Sequence, residues 1–331
     1  MSKTDIVLLP GDGIGPEIVD AVTEILDAAG ADLNYHKYEI GAAEYERNGK
    51  LIPDETIDAI NKYKIALKGP VTTPIGKGFK SVNVQLRLKF DLYINLRPAY
   101  SIANISKFQN VDIVTVRENT EDLYIGEEHA IDDGFEAIKR ITVKASDRII
   151  RFAFEYAKQN GRKKVTCVHK ANILKQSDGL FLQRFNEIAK EYPDITPDTK
   201  IVDNMCMQLV INPSQFDVIV APNLYGDILS DLIAGLVGGL GLVPGANLGK
   251  EVAIFEAVHG SAPDIAGKGI ANPIALLEAA VMMLNHIGKK DIADKITNAI
   301  LKTLTNGESL TKDLGGNANT KELTKAIINN L

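Results

Sequence analysis

Short apolar runs alternate along the chain with longer stretches in which apolar residues recur every three or four positions. The runs 6–9, 66–67, 92–96, 111–116, 164–169, 200–202, 218–221 and 253–255 read as strands. The first is stopped by Pro10 and Gly11, and a helix is predicted to open at Pro16, where the missing N–H is harmless. Helical spacing recurs between most of the other runs, as over 145–159 and 178–191. Strands alternating with helices predict an α/β protein. No internal repeat, low-complexity tract or Ser/Gly-rich linker interrupts the pattern, so composition marks no domain boundary.

A length of 331 residues suits about two domains at ~100–200 residues each. With 45% hydrophobic and 24% charged residues, disordered, collagen-like and coiled-coil chains are excluded. The net charge of -6 argues against nucleic acid, whose phosphates call for an excess of Lys and Arg, so a small-molecule partner is expected. Cys167 and Cys206 form no paired motif, which fits a reducing compartment and neither a disulfide framework nor a zinc cluster. The apolar run near Met1 is too short for a signal-peptide core or a membrane span; no membrane partner and a cytoplasmic location are expected.

Four constellations carry candidate chemistry. In NLYGDILSDL, Asp227 and Asp231 lie four apart, so on a helix beginning near Gly226 both carboxylates share one face. Like charges at that spacing repel by ~0.2–0.5 kcal/mol in solvent and by more when partly buried, so a positive group is expected between them. A hard divalent cation, Mg2+ or Mn2+, fits two carboxylates; a solvated acidic face accounts for the same spacing. Arg87, Arg97 and Arg117 form the second group, the latter two at the ends of apolar runs, where open α/β sheets place ligand contacts. Their forks, with Ser81 and Asn83 nearby in sequence, suit a substrate bearing several carboxylates, although any one of them alone reads equally as a surface ion pair.

The third is Tyr124 in RENTEDLY with Lys170 in VHKANI, a possible proton donor and a strand-end base, though both types are also common structural residues. The fourth is glycine usage: GDGIGPE follows a strand but has G-x-G-x-G spacing, so it is no Rossmann fingerprint, and no phosphate loop of the G-x-x-x-x-G-K type occurs. The later stretch FEAVHGSAPDIAGKGIANP has small residues that permit close backbone approach and an aspartate, Asp264, suited to ribose hydroxyls.

Taken in order, GDGIGPE, KGPVTTP, SVNVQLR through NLRP, VRENTEDLY, HKANI, NLYGDILSDL and HGSAPDIAGKGIANP resemble the β-decarboxylating dehydrogenases, the isocitrate, homoisocitrate, isopropylmalate and tartrate-type enzymes. The resemblance spans nearly the whole chain. It implies the isopropylmalate dehydrogenase-like fold, with a large cofactor-binding domain of residues 1–98 and 249–331, a small domain of residues 99–248, and a central cleft between them. It further implies a homodimer or larger homo-oligomer whose sites are shared, each borrowing Lys170 and Asp203 from the neighbour.

Carried residue by residue, the resemblance has Arg87, Arg97 and Arg117 clamp the substrate's carboxylates. Asp227, Asp231 and a neighbour's Asp203 hold the Mg2+ or Mn2+, Lys170 takes the hydroxyl proton and Tyr124 protonates carbon. Thr72 is placed near the nicotinamide ribose, His259, Gly260 and Ala262 along the adenosine loop, and Asn272 at the adenine. NADP-linked relatives tend to carry Lys and Tyr where this chain has Asp264 and Ile265; an aspartate repels a 2'-phosphate, so NAD is expected. Ser81 and Asn83, two apart, match isocitrate enzymes, which implies oxidation of isocitrate to 2-oxoglutarate and CO2. The C-terminal half resembles homoisocitrate enzymes equally, so homoisocitrate, or another 3-substituted malate such as 3-isopropylmalate, is the alternative substrate. A non-catalytic regulatory subunit is the alternative role, against which Tyr124, Lys170, Asp227 and Asp231 are all retained.

Overall fold

The computed structural model describes residues 3–72 and 81–331; residues 73–80, which include part of KGPVTTP and of the segment leading to Ser81, lie outside the described residues. Ten strands form one mixed sheet: β1 (Thr4–Leu9), β2 (Leu33–Lys37), β3 (Ile65–Lys68), β4 (Ile94–Tyr100), β5 (Asp112–Glu118), β8 (Lys164–His169), β9 (Thr196–Ile201), β10 (Val218–Ala221), β11 (Pro244–Leu248) and β12 (Ala253–Ala257). A separate hairpin pairs β6 (Glu128–Ile131) with β7 (Gly134–Ala137). The sheet order is β2-β1-β3-β12-β11-β4-β5-β10-β8-β9. The α/β architecture is the one the alternating pattern predicts.

Both ends of the sheet are parallel, but the middle is not: β4 runs antiparallel to β11 and β5, and β11 to β12. The connections explain the reversal. No helix intervenes between β4 and β5 or between β11 and β12, and a short connection without a crossover can only return the chain antiparallel. Strand β4 also extends past the predicted 92–96 run through Pro98 to Tyr100. Its pairing with β11 ends at Leu96, so Pro98 faces an unpaired edge on that side, where its missing N–H costs no ladder bond. Strands β2 and β11 were not foreseen: LNYHK carries only one fully buried residue, and PGANL begins with a strand-disfavoured Pro-Gly pair.

The helix Ile274–His286 is buried on nearly every face and packs against β3, β11 and β12. Inside it Glu278 is 5% exposed, and the hydroxyl of Tyr100 donates to its Oε1 at 2.5 Å. Burial pushes this carboxyl up to about 7 from an ordinary 4.5, against the smaller opposing effect of the Tyr100 hydrogen bond. A folded value above the unfolded one means the protonated group's contribution is complete below pH 4.5 and is lost as pH rises through 7. Glu278→Gln is therefore expected to stabilise the fold by about 3 kcal/mol at pH 8 and by under about 1 kcal/mol at pH 4.5, measured by urea unfolding at both values. Equal effects at the two pH values would refute the assignment. Among the described residues no helix is long and apolar enough to cross a membrane.

Candidate active site

Three neighbouring strands supply the floor of the site. Register places Asn247 of β11 opposite Asn95 of β4, and Asn95 opposite Arg117 of β5, so one row across the sheet carries three polar side chains. Arg97 lies two residues beyond Asn95 and therefore on the same face. It does not end its strand, as the apolar run suggests, but sits in the middle of it. Asn95 accepts from Arg97 Nε at 2.8 Å and donates to Asn247 Oδ1 at 2.8 Å; Arg87 Nε, from the helix Val82–Lys89, donates to the same Asn247 oxygen at 3.2 Å.

The helix Asn223–Val237 lies over this row. It begins three residues earlier than the expected Gly226. Gly226 has a packing reason to be glycine: a Cβ there would lie 2.5 Å from Cγ of Arg117. Asn223, one turn before Asp227, receives Arg117 Nη2 at 2.7 Å and Nε at 3.0 Å on its side-chain oxygen, and Arg117 Nη1 donates to Asp227. Arg97 Nη1 reaches Ser230 Oγ at 2.8 Å, Asp231 at 3.3 Å and Asp227 at 3.5 Å. The positive group expected between the two aspartates is thus, in this structure, the guanidinium of Arg97.

Tyr124, in a 3-10 turn after β5, donates to Asp227 Oδ2 at 2.5 Å, and the Arg117 guanidinium lies 4.9 Å from the centre of its ring. Burial lowers the Arg117 guanidinium to about 9, reinforced by the charges of Arg87 and Arg97. Burial would raise the Asp227 carboxyl, but Arg117, the Tyr124 hydroxyl, Arg97 and Arg87 outweigh it and hold the group below its ordinary value. Asp231, half exposed and paired among the described residues with Arg97, is raised instead, by partial burial and by the Asp227 charge. One turn of helix thus separates a firmly ionised acid from a more easily protonated one.

Lys170 follows β8 and its ammonium pairs with Asp203 at 2.5 Å, a contact that holds the Asp203 carboxyl below its usual range. Among the described residues no three His, Cys, Asp or Glu side chains gather around one point, so Asp203 does not join Asp227 and Asp231 within the chain. The two helix carboxylates offer hard oxygen donors that suit Mg2+ or Mn2+, but they make an incomplete set that needs a further donor from outside this chain. Ser81 is exposed ahead of its helix, while Asn83 borders a void of about 10 Å3 with Lys68, Arg87 and Glu256. Among the described residues its Oδ1 has no hydrogen-bond partner.

A second recess of about 680 Å3 lies by the loop after β12, lined among others by Ile14, His259, Gly260, Ala262, Ile265 and Asn272. Among the described residues His259 Nε2 is buried there without a partner, and burial lowers the imidazole, favouring its neutral form. An apolar recess with an open ring nitrogen suits a planar heterocycle such as adenine. Thr72 hydrogen-bonds Ser261 at 2.6 Å, but neither of them lines the recess, and nor does the exposed Asp264. The glycines of GDGIGPE close this corner: a Cβ on Gly11 would strike the carbonyl of Pro70, and one on Gly13 that of Ser261. Between them Asp12 accepts from the N–H groups of Ala42, Ala43 and Thr72. The G-x-G-x-G spacing therefore serves backbone crossings in a fold without the Rossmann turn.

The sequence reading missed Asn95, Asn223, Ser230, Asn247, Glu256 and Lys68. Asn95 carried a signal, its two-residue spacing from Arg97, and Asn223 another, its four-residue spacing from Asp227. Asn247, Glu256 and Lys68 reach the site only because β11, β12 and β3 are neighbours in the sheet.

Comparison with known proteins gives a consistent picture. Isocitrate dehydrogenase (NAD) catalytic subunit 5, mitochondrial, of Arabidopsis thaliana is 49% identical over 327 residues, which are 98% of this chain and 87% of that protein. Isocitrate dehydrogenase (NAD) subunit alpha, mitochondrial, of Bos taurus is 53% identical over 325 residues, covering 97% and 89%. The crystal structure of isocitrate dehydrogenase from Methylococcus capsulatus superposes with a TM-score of 0.96 at 51% identity, covering 100% of this chain and 99% of that one. The cytoplasmic location expected from the short N-terminal apolar run is corrected by these relatives, several of which, the human subunit alpha included, are mitochondrial and point to that compartment. The reason is physical: import into mitochondria is read from amphipathic, Arg-rich leaders and not from an apolar core, so that run does not bear on it. The family model for isocitrate/isopropylmalate dehydrogenases matches residues 5–327, and the chain belongs to that family.

Proposed function

We propose that this protein catalyses the NAD-dependent oxidative decarboxylation of isocitrate to 2-oxoglutarate and CO2, in a homodimer whose sites share residues. The observation that carries the reading is the convergence of three buried guanidinium groups, Arg87, Arg97 and Arg117, on the face opposite the Asp227 and Asp231 helix. Forks so placed grip a tricarboxylate, and burial strengthens each charge-assisted bond. His259 and Asn272 would hold NAD, which would supply a hydride acceptor, and Asp227, Asp231 and the partner subunit's Asp203 would hold a Mg2+ or Mn2+, which would supply Lewis acidity. Lys170, supplied with Asp203 across the interface, takes the hydroxyl proton. Tyr124, its hydroxyl fixed on Asp227, returns a proton to the carbon that CO2 leaves. Ser81 and Asn83 contact the distal carboxylate, Thr72 the ribose next to nicotinamide, and Gly260, Ala262, Asp264 and Ile265 the adenosine half. In the same reading residues 1–98 and 249–331 form the large domain and residues 99–248 the small one, with the substrate in the cleft between.

The test is kcat/KM for isocitrate, homoisocitrate and 3-isopropylmalate, each with NAD and with NADP, using the purified chain alone. Isocitrate with NAD is expected to exceed every other pair by at least about tenfold, the discrimination that one mismatched carboxylate contact supplies. A preference for homoisocitrate overturns the substrate, and absence of turnover with every pair favours the regulatory role.

A further inference from the structure

Lys170 stands just after β8, in a turn held by two side chains and by its own main-chain hydrogen bonds. Its N–H donates to Asp178 Oδ2 at 2.7 Å, while its carbonyl accepts from Ile173 and Leu174 at 3.0 and 2.9 Å. The next N–H, that of Ala171, donates to His169 Nδ1 at 3.1 Å. Asp178 belongs to the first turn of the helix Ser177–Ala189, a place where an aspartate is ordinarily solvated and merely favours the helix dipole. Here it is 0% exposed. Burying a carboxylate that completely is costly without compensation, and three groups supply it: the Lys170 N–H on one oxygen, the Lys139 ammonium 2.6 Å from the other, and the side chain of Tyr225, which hydrogen-bonds to the carboxylate. Lys139 also lies 4.2 Å from the centre of the Tyr225 ring and 3.8 Å from Asp122. Asp122 in turn accepts from Leu224 N–H in the first turn of the helix that carries Asp227 and Asp231.

We propose that Asp178 is a positioning residue for Lys170: with Lys139, 13% exposed, as its counterion, it fixes the main chain from which the Lys170 amine projects, and so sets where that amine meets the substrate hydroxyl. The proposal rests on the reading of Lys170 as the proton acceptor. A misplacement of about 1 Å in such a group costs on the order of 100-fold in rate without weakening substrate binding, so the signature is a loss in kcat with little change in KM.

The test is a double-mutant cycle in the dimeric protein with Mg2+ and NAD. Asp178→Ala is expected to lower kcat about 100-fold with KM for isocitrate within about threefold, and Asp178→Asn, whose amide oxygen still accepts the Lys170 N–H, to recover at least about tenfold of that loss. In the Lys170→Met background the same substitutions are expected to change the residual rate by less than about twofold, because a group that acts only through Lys170 has nothing left to position. An equal loss in both backgrounds overturns the proposal, as does a wild-type kcat in Asp178→Ala, or an Asp178→Asn enzyme no better than Asp178→Ala at matched melting temperature. If Asp178→Ala does not fold, Asp178→Ser, whose shorter side chain does not span to the Lys170 N–H, takes its place with the same expectations. A Lys170→Met enzyme with full turnover is a different failure: it removes the base assignment on which the proposal rests.

Discussion

Asp227→Asn is expected to reduce kcat/KM for isocitrate by about 1,000-fold, while Asp231→Asn reduces it substantially less. The two acids share a helix face but not an environment. Asp227 receives Arg117 and the Tyr124 hydroxyl and lies 3.5 Å from Arg97, so it is the common acceptor of three groups assigned to substrate handling. Asparagine keeps the shape and one acceptor oxygen but removes the negative charge that balances Arg117, which is 1% exposed and already lowered to about 9 by burial and its cationic neighbours. Loss of one preorganised charged group in an active site costs two to three powers of ten, and on the proposed reading the loss of a carboxylate that would hold the cation adds to it. Asp231 pairs with Arg97 among the described residues and is half exposed, so solvent replaces much of what its substitution removes. Steady-state rates over a Mg2+ or Mn2+ titration measure both effects. An Asp227→Asn enzyme that retains more than a tenth of wild-type kcat/KM would show that the chemistry does not depend on this carboxylate.

The second large effect is on stability. Lys68 and Glu256, on neighbouring strands β3 and β12, are paired at 2.5 Å with exposures of 2% and 6%, and Asn247 donates to Glu256 at 2.6 Å. Burial alone would raise the Glu256 carboxyl; Lys68, and after it Arg87, reverse that and hold it at about 2. Replacing one partner, as in Glu256→Gln or Lys68→Met, leaves the other charge buried and is expected to cost about 3–5 kcal/mol. The double replacement Lys68→Met with Glu256→Met is expected to recover most of that, because the desolvation of both charges disappears with them. The sign of the pH dependence follows from the depressed folded value: the pair's stabilisation is complete above about pH 4.5 and is lost as pH falls from there towards 2. Urea unfolding at pH 7 and pH 3 reads both points. A double variant no more stable than either single one would mean that the surrounding Asn247 and Arg87, not the pair itself, dictate the cost.

Much of the fold was legible because strands in the parallel parts of the sheet are buried on both faces and therefore read as continuous apolar runs; β8 and β10 coincide with the predicted runs 164–169 and 218–221. The strands of the large sheet that escaped notice, β2 and β11, are polar or begin with Pro and Gly, and sheet neighbours rather than intrinsic preference hold them extended; the hairpin strands β6 and β7, exposed along nearly their whole length, escaped notice too. The site was legible in part for a similar reason. Asp227 and Asp231 lie within one element, where helical periodicity converts sequence spacing directly into proximity; Asn95, two residues before Arg97, carried the same kind of signal but went unread.

From the order of its residues alone, this chain specified its α/β class, its family, and the paired acids and arginines that belong to one another, since these follow from local periodicity and from seven motifs in sequence. Only the folded chain decided that Arg97 lies between the two acids, that Lys68 and Glu256 are buried as a pair, and that Asp178 holds the turn of Lys170. Those contacts join strands and helices far apart in sequence, and no local spacing encodes which strands will lie side by side or which charges they will bury together.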